Sequence, residues 1–272
     1  MPNIVRIAGG SEGGEYSLVA ETIADALEKN SGCKTELIST QGSSENFEQL
    51  GNGKVHMALL QSDMFDSENF TVIAPLYYET VHVLTRTGEL ISDMKDLKQR
   101  RVYVGQQKAG SRATARRILK FSGLDFSDLQ IVEDLAADPP VDAAILVTRV
   151  GASEIIALMS NGAYKLMEFS QAWEFSLNEP AFHPMRIAKD DYPQVGIDQT
   201  GISTVATTAF LVCNKDTPDV LVRSVLESIY RPEVRELAGI LSAEQASRWQ
   251  GIAWHPAAKA FFQSRRDASL IP

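Results

Sequence analysis

Gly9-Gly10-Ser11-Glu12-Gly13 follows the apolar run Ile4–Ala8 and fits the pattern G-x-S-x-G. In that pattern a serine on a sharp strand-to-helix turn exposes its hydroxyl as an acyl-transfer nucleophile. The chemistry needs a base and an oxyanion loop, and hydrolases of this type place strands and that loop ahead of the serine. Here ten residues precede Ser11, and no spacing ties it to His255, the histidine that could act as base. A dinucleotide cradle fits no better: G-x-G-x-x-G is absent, and Glu12 and Glu15 would repel a pyrophosphate. Two readings remain. The glycines either let a helix pack close to the sheet or clear space beside a small molecule. We adopt the second as the expectation, with Gly10, Ser11 and Tyr16 facing a ligand.

"AGSRAT", Ala109–Thr114, is the better place for an anion. Ser111 is expected to cap a helix, and Thr114 adds a hydroxyl one turn on. The free N–H groups and the dipole of a helix start favour negative charge. Arg112 adds a fork that matches a carboxylate. The alternative is an ordinary capped helix with Arg112 in water. Arg149 ends the apolar run of "LVTRVGA" and is a second cationic candidate, or simply the strand's exit to solvent. "TQGSSENFEQL" and "HMALLQSDMF" bring Ser43, Asn46, Gln61 and Asp63 to predicted strand ends, where each is either a loop cap or a ligand contact. An ammonium group on the ligand would meet Asp63, Glu79 or Glu12. His56, His82, His183 and His255 are scattered without metal-ligand spacing, and Cys33 and Cys213 form no CxxC pair. No metal site, cofactor or catalytic residue is expected.

The elements that must position these groups alternate. A strand at Ile4–Ala8 leads to a helix over about Gly14–Lys29, with Tyr16, Val19, Ala20, Ile23, Ala24 and Leu27 on one face. A strand Thr35–Ser39, a short helix to Leu50 and a strand Val55–Leu60 follow. This βαβαβ order predicts a parallel sheet with crossover helices. "TVIAPLYYETVHVLTR", Thr71–Arg86, reads as one or two strands leaving the first lobe. A second series has strands Val102–Gly105, Gln130–Val132 and Ala143–Val147, a helix Ser111–Ser122 closed by Gly123, and a helix from Ala152. Ile202–Asn214 is a second β-rich crossing, and the rest is mostly helical. The expectation is an α/β chain of two lobes, 1–84 with 207–272 and 85–206, joined by a two-strand hinge. The cleft between them is the default ligand site, and the loops above lie at the carboxyl ends of strands.

Composition narrows the function classes. The chain has 272 residues, 44% hydrophobic and 22% charged, with a net charge of −9. An acidic surface argues against nucleic acid and anionic membranes. No apolar run reaches the ~18 residues of a membrane span. "MPNIVRIAGG" lacks the basic start and apolar core of a secretory leader. That leaves a cytoplasmic chain or the mature part of an exported one.

Taken in order, GGSEGGEYS after a strand, GSSENFEQLGNGKVHMALLQSD, APLYYETVHVLTR and DLKQRRVYVGQQKAGSRATARRILKFSGL, with IAWHPAAKAFF near the end, closely resemble the TAXI group of TRAP-transporter solute-binding proteins. The series spans almost the whole chain. The resemblance implies the type II periplasmic-binding-protein fold and a non-enzymatic, periplasmic, monomeric protein. Such a protein captures a small carboxylate, an amino acid such as glutamate or a dicarboxylate, in the interlobe cleft and delivers it to TRAP membrane permease subunits. On this reading Gly10, Ser11, Tyr16, Ser43, Asn46, Gln61 and Asp63 serve from one lobe, and Glu79, Ser111, Arg112, Thr114 and Arg149 complete the set. The same fold coupled to a signalling partner is the alternative, and a serine hydrolase through Ser11 is a third. The chain departs from the family's Gly-Ser-Gly-Thr at Gly110-Ser111-Arg112-Ala113-Thr114 and lacks a proline after Gly151. The added arginines point to a more anionic ligand. In the implied fold Cys33 lies by an edge strand and Cys213 on a central one, which disfavours a bridge between them.

Overall fold

The computed structural model describes residues 2–193, 197 and 200–269. Met1 and residues 270–272, the outermost positions of the first expected lobe, lie outside them. The chain divides into two compact units, Met1–Tyr77 with Thr208–Pro272, and Tyr78–Thr207.

The chain opens with β1 (Ile4–Ala8), α1 (Glu15–Ser31), β2 (Lys34–Ile38), α2 (Ser43–Gly51) and β3 (Met57–Gln61). β1 pairs in parallel with both β2 and β3, as crossover helices require. The predicted apolar stripe of α1 is buried, and Gly32 ends the helix in the left-handed region at φ +68°. β4 (Phe70–Arg86) is a single strand of 17 residues. It carries the chain into the second unit.

There follow β5 (Arg101–Tyr103), α3 (Gly110–Phe121), β6 (Gln130–Val132), β7 (Ala143–Thr148), α4 (Ser153–Ser160), β8 (Tyr164–Met167), α5 (Ala172–Asn178) and β9 (His183–Ile187). β10 (Ile202–Asn214) returns the chain to the first unit, which closes with α6 (Asp219–Ile229), α7 (Pro232–Leu237), α8 (Ala243–Ser247) and α9 (Pro256–Ser269). In the first unit the strand order is β2-β1-β3-β10-β4. In the second it is β10-β4-β7-β5-β6, with β8 on β4 and β9 on β10. β5 pairs in parallel with β6 and β7, and β7 is antiparallel to β4.

Each unit buries both faces of its sheet. In the first, Ile7, Leu59 and Leu211 face α1, α6 and α9, while Leu60, Val72 and Phe210 face Leu50, Phe47 and Trp249. In the second, Val83, Val102 and Ile145 pack on α3 and α5, while Leu84, Ala144 and Leu146 pack on α4 and Tyr192. Sheets covered on both faces read as continuous apolar runs rather than alternating ones. β3, β4 and β10 have that character, which is why they were legible. β8, α5 and β9 were not assigned from sequence. Cys33 and Cys213 are both buried and both free.

Candidate functional site

In the first unit, the loops after β1, β2 and β3 are tied into one cluster. The Thr40 hydroxyl shares its one hydrogen between Asn46 Oδ1 at 2.6 Å and Gly9 O at 3.1 Å. Asn46, fully buried on α2, donates its amide hydrogens to Gly9 O and, at 2.7 Å, to Leu59 O. Gly10 O accepts from Thr40 N–H at 3.1 Å and from the Ser39 hydroxyl at 3.3 Å. Asn46 therefore acts as a bracket between strand ends, and both its amide hydrogens are spent on the fold. Sequence reading missed Thr40, whose only signal was its place at the head of "TQGSSEN".

Ser43, the first residue of α2, accepts from Gln61 N–H at 3.1 Å and donates to the Tyr16 hydroxyl at 3.4 Å. Tyr16, Ser43 and Gln61 are thus brought together, all buried. Gln61 Oε1 is buried without a hydrogen-bond partner among the described residues. Asp63 lies half-buried in the 3-10 turn Ser62–Met64 that follows β3.

The glycine turn lets α1 pack close to the sheet. A Cβ on Gly9 would meet Ala20 Cβ and Ser17 Cα at 3.3 Å, so that glycine is required for α1 to pack on the turn. Gly10 is buried too, with Tyr16 Cβ 3.0 Å from where its own Cβ would sit. Beside them is a surface pocket lined by Gly10, Glu12, Ser17, Glu21, Leu37 and Ser39, among others. Its two glutamates make it a poor place for an anion, and it includes none of Ser43, Asn46 and Gln61.

Ser11 does not sit on a nucleophile elbow. Gln99 alone among the described non-glycine residues has a positive φ, so Ser11 lacks the strained backbone of that turn. α1 begins only at Glu15, four residues on. The histidines are engaged elsewhere: His56 Nδ1 accepts from Arg6 N–H, His255 Nε2 meets Thr217 O, and His82 is enclosed in the second unit.

In the second unit, α3 begins after Ala109, which has no side-chain cap. The expectation that Ser111 caps this helix is therefore corrected. Its hydroxyl instead accepts from Val147 N–H at 3.1 Å and donates to Val147 O at 3.4 Å, pinning α3 to the end of β7. Val147 is the second-last residue of β7, and Ser111 holds both its N–H and its C=O. Gly105, at φ +87°, allows this close approach: a Cβ there would lie 3.0 Å from Ser111 Cβ. Thr114 is fully buried.

Arg112 is not in open solvent. Its guanidinium forms a bidentate pair with Glu133 at 3.0 and 3.1 Å, donates to Gly105 O at 3.2 Å and lies over the Phe126 ring. These contacts account for three bonds from its five N–H donors among the described residues. Burial pushes the Tyr103 hydroxyl pKa up, as do the nearby carboxylates of Glu154, Asp134 and Glu133. Arg112 thus enters an acidic neighbourhood, and this end of the second unit is less cationic than "AGSRAT" suggested. Glu133 was missed because no local spacing links it to Arg112.

Arg149 follows β7 and opens a turn to α4, with Ala152 N–H bonded to its carbonyl. Glu79 is buried on β4, close to where the strand enters the second unit.

A family model described as the NMT1-like family matches residues 7–264, and the chain belongs to that family. Three solved structures share its fold. A Bordetella bronchiseptica RB50 protein aligns at TM-score 0.61 and 13% identity, covering 97% of this chain and 98% of its own. The alkanesulfonate-binding protein SsuA from Xanthomonas axonopodis pv. citri, bound to MOPS, aligns at 0.52 and 14% identity over 100% and 95%. A TctC solute-binding protein from Polaromonas aligns at 0.52 and 16% identity over 97% and 98%. The fold is the two-lobed type II periplasmic-binding-protein fold, with β4 and β10 as the two strands of its hinge.

Proposed function

We propose that this chain is an extracytoplasmic solute-binding protein of the TAXI type. It captures a small carboxylate, an amino acid such as glutamate or a dicarboxylate, and delivers it to a TRAP membrane permease. The two compact units serve as its lobes, and it acts as a monomer in the periplasm. Among the described residues no helix is long and apolar enough to cross a membrane.

The observation that carries this reading is the contrast between two half-sites on a binding-protein fold. The first unit offers uncharged groups, the hydroxyls of Tyr16 and Ser43 and the amide of Gln61, with Asp63 alongside. The second unit carries Arg112, paired with Glu133, and Arg149, which follows β7. That contrast suits a molecule with an anionic end and a polar end. On this reading the ligand is bound and released unchanged. One structural neighbour is a solute-binding protein and another binds alkanesulfonates, which supports a small anionic ligand.

The test is calorimetric titration of the chain with L-glutamate and with succinate, repeated on Ser43→Ala and Arg112→Ala. Both variants should bind more weakly than wild type, because each unit contributes to one ligand. Loss in only one of them would confine the site to a single unit.

A further inference from the structure

Two buried polar side chains of the second unit, Tyr192 and His82, form one chain with the backbone amide of Gly151, an exposed residue. Gly151 N–H donates to the Tyr192 hydroxyl at 3.0 Å. Tyr192 has one hydrogen, and its 2.8 Å contact is His82 Nε2, which must accept it. His82 therefore carries its proton on Nδ1, 2.9 Å from Thr80 O, which can only accept. Both side chains are fully buried, and their rings meet edge to face with centroids 5.8 Å apart. The chain runs from β4, near the point where that strand enters the unit, to the turn between β7 and α4.

Buried hydroxyl and imidazole groups destabilise a core unless every partner is present. An apolar pair would fill the same space at less risk. What the polar pair adds is a fixed end point. Gly151 lies in the left-handed region at φ +83°, two residues after Arg149, and Ala152 N–H closes the turn on Arg149 O at 3.3 Å.

We infer that Tyr192 and His82 are positioning residues that fix the Arg149–Ala152 turn and so aim Arg149 at the carboxylate of the bound ligand. The inference rests on the carboxylate reading above for what Arg149 meets, but not for the fixing of the turn. Tyr192→Phe keeps the ring and removes the hydroxyl, leaving the Gly151 amide without its acceptor.

The experiment has a ligand arm and a ligand-free arm. Titrating wild type, Tyr192→Phe, Arg149→Ala and the double variant with L-glutamate and with succinate should show about a tenfold loss for Tyr192→Phe, the size expected of one lost hydrogen bond. Tyr192→Phe should cause no further loss when added to Arg149→Ala, because both act through one group. Without ligand, amide spectra of Tyr192→Phe should show the Gly151 N–H moved towards the position of an unbonded amide, with Arg149 and Ala152 shifted beside it. Where Tyr192→Phe does not fold, His82→Gln, which retains an acceptor, should keep more affinity than His82→Leu. Unchanged affinity, equal losses with and without Arg149, or an unmoved Gly151 amide would each overturn the proposal. If wild type binds neither probe, the carboxylate reading fails, and an unmoved amide then removes the positioning role as well.

Discussion

Arg112 and Glu133 show how a side chain's value depends on its neighbour. The guanidinium is 18% exposed and held by a carboxylate on both nitrogens. A ligand carboxylate at Arg112 has to share the fork with Glu133. We predict that Arg112→Ala weakens binding of L-glutamate or succinate about ten- to a hundredfold, the range of one charge-assisted hydrogen bond. Glu133→Gln should tighten it several-fold by removing the competing charge. Calorimetry on the three proteins checks both, and equal dissociation constants would reduce Arg112 to a partner of Glu133 and Phe126. The start of α3 was legible because hydroxyls at a helix start are a local pattern, although Ser111 holds Val147 and does not cap the helix. Glu133 and Tyr192 were not, because the first joins its partner across 21 positions and the second across 110.

The strand ends of the first unit depend on Asn46. Removing its side chain takes the Asn46 donor from Leu59 O and from Gly9 O, which keeps only the Thr40 hydroxyl, and takes one acceptor from that hydroxyl. Asn46→Ala should lower unfolding stability by about 2 kcal/mol or more, since a buried polar group left unpaired costs about 1–3 kcal/mol. Denaturant unfolding measures this, and a change under about 0.5 kcal/mol would mean that the loops hold without the bracket. Gly9→Ala should cost about 1–3 kcal/mol, because the methyl would press on the backbone of α1 at Ser17. Most elements were visible before the structure. β1, β6 and β10 have the expected limits, and α1 and α3 differ by one or two residues at their ends. β8, α5 and β9 were missed for a common reason. β8 has four residues and α5 seven, and β9 alternates only weakly, so the pairing of β8 with β4 and of β9 with β10, and the burial of Ala172 and Phe175 of α5, supply what local sequence does not.

At the scale of the whole molecule, buried neutral histidine makes stability depend on pH. Burial pushes the His82 pKa down to about 4, against about 6.5 in the unfolded chain. Between those values the unfolded chain binds the extra proton, so stability is complete above about pH 6.5 and is lost as pH falls towards 4, by on the order of 3 kcal/mol. His56 and His183 are also lowered by burial and add in the same direction. Unfolding midpoints from pH 4 to 7 should fall with acid, and less steeply in His82→Gln. An identical slope would show that His82 does not control it. The two-lobed fold itself was legible from two long β-rich crossings around a complete α/β series. The identity of the ligand was not, because it depends on side chains brought together from distant loops. The most direct test of the account is therefore calorimetric titration of the full chain with L-glutamate and succinate, followed by recovery and mass analysis of both ligand and protein. The account predicts one saturable site per chain, a dissociation constant of about 1 μM or tighter for at least one of the two, and ligand and protein recovered unchanged. No heat with either carboxylate, or a ligand returned hydrolysed with a mass adduct on Ser11, would contradict it.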